Sequence, residues 1–211
     1  MNTDFYTADA ICKAMGLPAF ERDPACTEAV EAVRVLLRPS FHPEICLTFE
    51  GSQVSVICAR EMIWRQLGPP PMPTHRAKAG LPVGTFDALL TSLAPVAHRG
   101  TTTVPGITID GMPTELLYFR AGKLVLKVGG NGGRDDDFSA FLALAVVTAW
   151  QCISSDQCRN SLAEAAGYLG KSLPRQTELP RKPIVETLVL GSEEDRAQVL
   201  EALRRHHGSQ N

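Results

Sequence analysis

Residues 123–128 have the alternation of a strand. They run into Gly129-Gly130-Asn131-Gly132-Gly133-Arg134-Asp135-Asp136-Asp137 and then into an apolar helical pattern. Strand, glycine loop and helix N-terminus together make the geometry of a phosphate cradle, because backbone N–H groups and the helix dipole converge on an anion. Here the charge is wrong for one. A Walker loop needs Gly, four residues, Gly, Lys and then Ser or Thr, whereas Arg134 is followed by three aspartates. Those carboxylates occupy the positive helix end themselves and repel phosphate. With Asn131 they could offer oxygens to Ca²⁺, but the alternating acidic ligands and closing Glu of an EF-hand are missing. The pattern therefore implies aspartates that cap the helix, glycines that form a mobile link, and an exposed acidic loop suited to a basic protein surface. Asn131, Arg134, Asp135, Asp136 and Asp137 are its candidate contact residues.

A second constellation is Phe41-His42-Pro43-Glu44. His42 and Glu44 lie two apart just before a strand, a spacing that puts both on one side. A His–carboxylate pair can act as a general base or bind a metal. No nucleophile elbow, HExxH motif or kinase motif set accompanies it. Trp64 and Arg65 are of the types that anchor interfaces, although Trp64 suits a core equally well. The six cysteines contain no CxxC pair and read as small buried hydrophobes, so no metal or cofactor is expected.

The elements that must position these groups follow from periodicity and caps. Residues 3–15 have a helical stripe, with Thr3 as N-cap. Asp23-Pro24 opens a second helix whose inward face would be Val30, Val33, Leu36 and Leu37. Residues 45–49 and 54–59 form a hairpin about Gly51-Ser52. Pairing Phe49 with Val54, Leu47 with Val56 and Ile45 with Cys58 puts all six on one face, and a slip of one residue would scatter them. Gly68 to Pro73 holds four prolines and reads as a stiff connector. Thr85 caps a helix to residue 97. A meander follows over residues 101–110, 114–120 and 123–128, with Phe119 facing Leu124 and Leu117 facing Leu126. Residues 138–153 are apolar almost all round, as in a central helix. Another helix spans residues 155–169. A linker, a strand at 184–190 and a last helix starting at Ser192 complete the chain.

The expected fold is α+β, mainly an antiparallel sheet built from hairpins and a meander, with helices packed against it. Residues 1–174 would form a single domain. Residues 175–211 would be a linker and a strand–helix extension that docks on the same domain or on a neighbouring chain. The 211 residues suffice for a large core, and 44% apolar with 21% charged is ordinary globular composition. The net charge of −2 argues against nucleic acid or a membrane surface as partner. With no basic, apolar leader at Met1, the chain is expected to be cytoplasmic.

In composition and element order the chain resembles small cytosolic bacterial α+β proteins that bind partners, toxin-neutralising immunity proteins among them. No specific motif carries that likeness. It implies a non-enzymatic protein-binding module, and the acidic loop would complement a partner with a basic surface. The contact candidates are the loop residues above with His42, Glu44, Trp64 and Arg65. The alternative is an enzyme with a dispersed His/carboxylate site.

Overall fold

Asp23 and Pro24 start a helix as expected, but it lasts one turn. In the computed structural model, which describes residues 7–63, 71–98, 111–133 and 136–175, α2 is Pro24–Thr27, with Asp23 Oδ1 accepting the Ala25 N–H at 3.1 Å. The residues expected to continue it instead form strand β1, Glu31–Leu37, and Val30 is 83% exposed. A strand buried on both faces is a nearly continuous apolar run, and Val33, Leu36 and Leu37 fit a helical spacing as well. The first helix, α1 (Ala8–Ala14), also differs at its start: Thr7, not Thr3, is its N-cap, accepting the Ala10 N–H.

Strands β2 (Ile45–Glu50), β3 (Gln53–Ala59), β4 (Thr74–Gly80), β5 (Met112–Arg120) and β6 (Lys123–Gly132) complete one antiparallel sheet of order β4-β3-β2-β1-β5-β6. The fold class is therefore the expected α+β. The β2–β3 hairpin has the expected register, with Phe49 opposite Val54, Leu47 opposite Val56 and Ile45 opposite Cys58. Phe119 faces Leu124, but an irregularity at Tyr118/Phe119 shifts the rest, so Leu117 faces Lys127 and Tyr118 faces Leu126. An extra residue in one strand of a pair has this effect. Strand β4 was not expected. It is an edge strand whose inward side carries His75, Ala77 and Ala79, and Arg76 and Lys78 alternate with them, so it shows no large apolar signal.

Helices α3 (Thr85–His98), α4 (Asp137–Cys152) and α5 (Asp156–Tyr168) cover one face of the sheet. Phe141, Leu142 and Val146 of α4 pack there with Leu89 and Leu93 of α3 and Leu162 of α5, over Val33, Val35, Leu47, Phe49 and Val56. The opposite face carries Ala32, Leu36, Cys46, Leu117 and Phe119, under Ile11, Cys12, Met15, Phe20 and Cys26 of the N-terminal segment.

The chain divides into two compact units, Met1–Gln176 and Thr177–Asn211, and every described residue belongs to the first. The expected C-terminal strand and helix, the strand at 101–110, and Trp64, Arg65, Arg134 and Asp135 lie outside the described residues.

Candidate functional site

The glycine run is mostly strand. Gly129, Gly130, Asn131 and Gly132 extend β6 and pair with Glu115, Thr114, Pro113 and Met112. At Gly130 α4 lies too close for a side chain: a Cβ there would come within 2.6 Å of the Phe138 ring, and one on Gly132 would meet Met112 at 2.8 Å. Gly133 makes the turn out of the strand at φ +96°, and a Cβ there would meet the Tyr168 carbonyl oxygen at 2.4 Å. The expected mobile link is thus a packed strand end. Asn131 is committed to it, with Oδ1 accepting the Met112 N–H at 2.7 Å. Asp136 is the N-cap of α4, accepting the Ser139 N–H at 2.7 Å, and Asp137 is the first residue of that helix. The self-capping read from the sequence is therefore present.

His42 comes to the same corner from the other side. Its Nδ1 lies 3.1 Å from the Tyr168 hydroxyl, and the two rings meet edge to face. The Phe41 N–H also donates to that hydroxyl, at 3.1 Å. A Tyr168 proton donated to Nδ1 leaves the imidazole proton on Nε2, which faces Glu164 Oε1 at 4.0 Å. Arg175 approaches the same carboxylate at 3.9 Å. One turn apart on α5, Glu164 and Tyr168 share a helix face, and Tyr168 lies between His42 and the turn at Gly133.

Glu44 is elsewhere, contrary to the expected pairing. It is fully buried, its Oε2 accepts the Ile63 N–H at 2.9 Å, and Ile63 packs with the N-terminal layer. The chain turns at residues 40–42, so the two-residue alternation of a strand does not reach back to His42. The nearby hydroxyl of Ser40 both donates to the Gly111 carbonyl at 2.8 Å and accepts the Gly111 N–H at 3.1 Å. In the series Tyr168–His42–Glu164 the imidazole sits between a hydrogen-bonded hydroxyl and a carboxylate 4.0 Å away, a geometry that presents no activated nucleophile. Among the described residues no group of three or more His, Cys, Asp or Glu side chains could hold a metal ion.

The corner's outward feature is Phe41. Its side chain is 54% exposed while its backbone is held by Tyr168. Sequence reasoning found His42 but not Tyr168 or Glu164, which lie over 120 positions away. The only trace was their spacing of four on α5.

Two other regions were missed. A half-open cleft of about 520 Å³ is lined by Asp9, Phe20, Glu21, Arg38, Glu115 and Lys127. Two ion pairs line it: Arg38 pairs with Glu115 at 3.1 Å, and the hydrogen bond from Lys127 to Glu21 holds that ammonium above its ordinary pKa, while Asp9 accepts the Phe20 N–H. Arg34 of β1 is buried completely beneath the N-terminal segment. It pairs with Asp23 at 2.8 Å, donates to the Phe20 carbonyl at 3.2 Å and contacts Cys46 Sγ at 3.5 Å. Its guanidinium also lies over the Phe20 ring, 5.3 Å from the centroid. An arginine inside the apolar run 31–37 was the available signal.

No described helix is long and apolar enough to cross a membrane. No family model, curated protein or solved structure matches the chain.

Proposed function

We propose that this protein is a non-enzymatic protein-binding module, of the toxin-neutralising immunity or accessory kind, acting in the cytoplasm. The observation that carries the reading is Phe41, an exposed aromatic side chain on a loop whose backbone is already fixed by Tyr168. Aromatic anchors dominate interface energetics, and a contact that is ordered beforehand loses little entropy on binding. The net charge of −2 and the carboxylates at the start of α4 support a partner with a basic surface.

The test is recovery of a partner from the native host with wild-type and Phe41→Ala protein. The wild type is expected to retain one stoichiometric partner and Phe41→Ala to lose it at least tenfold, the change on the order of a hot-spot residue. Equal retention by both proteins removes Phe41 from the contact, and no partner at all ends the reading. The hydrogen bond between His42 and Tyr168 supports a second reading, a dispersed enzyme site using His42 and Glu164. It requires a turnover that His42→Gln abolishes without changing the thermal midpoint.

A further inference from the structure

Five of the six cysteines are buried, three between the N-terminal segment and the sheet and two at the junction of the sheet with α5. We propose that the second group, Cys58 and Cys158, is a redox-active dithiol whose closure to a disulfide fastens α5 to strand β3.

The placement argues for it. Cys58 sits opposite Ile45 near the end of β3, on the face covered by helices, and Cys158 is the third residue of α5. Both are fully buried, and their sulfurs are in hydrogen-bonding contact across the interface. Ser161 bonds to Cys58 from the next turn of α5, and Ser155, the N-cap, bonds to Cys158. A thiol in the first turn of a helix faces free N–H groups and the positive end of the helix dipole, the setting in which cysteines become nucleophiles.

The two sulfurs are unlike. The hydrogen bond from Cys58, helped by Ser155, brings Cys158 down to about 7 against the effect of burial. The same bond, with burial, drives Cys58 upward. With Cys158 in the first turn of α5 and Cys58 in the sheet, Cys158 is the sulfur placed to become the thiolate and Cys58 the one placed to attack it. The cysteines of the opposite face contrast with this. Burial pushes Cys12 and Cys26 up to about 12 and raises Cys46, even beside Arg34. Those three remain thiols.

A hydroperoxide is the oxidant the proposal needs. The Cys158 thiolate attacks the terminal peroxide oxygen, the O–O bond breaks, and the leaving oxygen departs protonated as an alcohol, or as water from hydrogen peroxide. Cys158 is then a sulfenic acid. Cys58 loses its proton and attacks that sulfur, the S–S bond forms, the S–O bond breaks, and the oxygen leaves as water. Two thiols and one hydroperoxide give one disulfide, one alcohol and one water. Because both sulfurs are buried, peroxide enters only when the first turn of α5 opens, so the rate is set by that opening. The bond then closes a loop of about 100 residues and opposes further opening.

The test uses the full chain treated with hydrogen peroxide, quenched with N-ethylmaleimide and mapped by mass spectrometry without reduction. The expected product is a linked peptide pair containing Cys58 and Cys158. The thermal midpoint should rise by roughly 10 °C and return with dithiothreitol. In Cys58→Ser the reaction should stop at Cys158 sulfenic acid, captured by dimedone, with no rise in midpoint. Two results overturn the proposal. One is Cys58 and Cys158 remaining thiols after the partly exposed Cys152 has been fully oxidised; the other is a principal disulfide joining any other pair.

Discussion

Under α3, α4 and α5 the sheet is sealed by three long elements whose inward residues are almost all apolar. On the opposite face the cover is a seven-residue helix, a single turn and one four-residue helix, and a charged side chain lies in the middle of the layer. Long amphipathic helices remove enough apolar surface from water to hold themselves in place. Short ones do not, and isolated helices of such length do not persist in water. The N-terminal layer is instead fastened by directed contacts. Arg34 binds the first residue of a 3₁₀ turn, Phe20–Arg22, through the Phe20 carbonyl and the start of α2 through Asp23, while Asp9 accepts the Phe20 N–H at 2.7 Å. The contrast is between a layer held by area and a layer held by one buried cation.

The strongest way to break the first layer is Phe141→Ala. This side chain is fully buried in α4, and its loss leaves a cavity that costs about 4 kcal/mol. Denaturant unfolding should show one transition shifted to lower concentration, with every probe moving together.

For the second layer the informative substitution is Asp23→Ala, not a change of apolar size. It leaves the buried Arg34 charge without its carboxylate and strips α2 of its cap, an expected loss of about 3 kcal/mol. Arg34→Met should cost less, about 1 kcal/mol, because it removes the charge and fills a space lined by Cys12, Cys46 and Phe20. If Arg34→Met proves the more damaging of the two by denaturant unfolding, the layer is held by the donor geometry of the guanidinium and not by charge balance.

The same contrast explains what could be read in advance. The β2–β3 hairpin was legible because its large apolar residues alternate about a Gly-Ser turn, and α4 because it is a long apolar run opened by a capping aspartate. Strand β1 was misread because Val33, Leu36 and Leu37 are buried on opposite faces, which erases the alternation. β4 escaped notice because its inward residues are a histidine and two alanines. At the candidate site the Asp136 cap was visible, being local, whereas the partners of His42 were not, since Tyr168 and Glu164 reach it only through the packing of α5 on the sheet. The glycines of 129–133 invited a mobile loop because nothing local shows that Phe138 lies over Gly130 and Tyr168 over Gly133.

The polar contacts of His42 and Tyr168 lie at the rim of the helix-covered side, and there they should matter less. Tyr168→Phe removes the hydroxyl that receives the Phe41 N–H and contacts His42. The expected loss is about 1 kcal/mol, since the freed groups reach water. Amide exchange at Phe41 should speed up while that of buried β2 amides does not. Unchanged exchange at Phe41 would mean that the loop is rigid without Tyr168.

The smallest effect belongs to Glu31, an ion pair that sharpens the comparison by being exposed. Its carboxylate accepts from Tyr118 and from Arg120, the latter at 3.0 Å, with the Arg120 side chain 69% exposed. The Tyr118 hydrogen bond first, and Arg120 after it, hold the Glu31 carboxyl below its ordinary 4.5. A group depressed by folding stabilises the protein above its unfolded value, and that contribution disappears as pH falls through the folded value. At neutral pH, Glu31→Gln should therefore lower the thermal midpoint, but by less than about 3 °C because solvent screens the pair. As the pH is taken below 4.5 the wild type takes up the proton, and the gap between the two midpoints should close. A gap that persists into acid would show that Glu31 acts through packing and not through its charge. A neutral-pH gap as large as that of Asp23→Ala would show that burial is not what separates the two ion pairs.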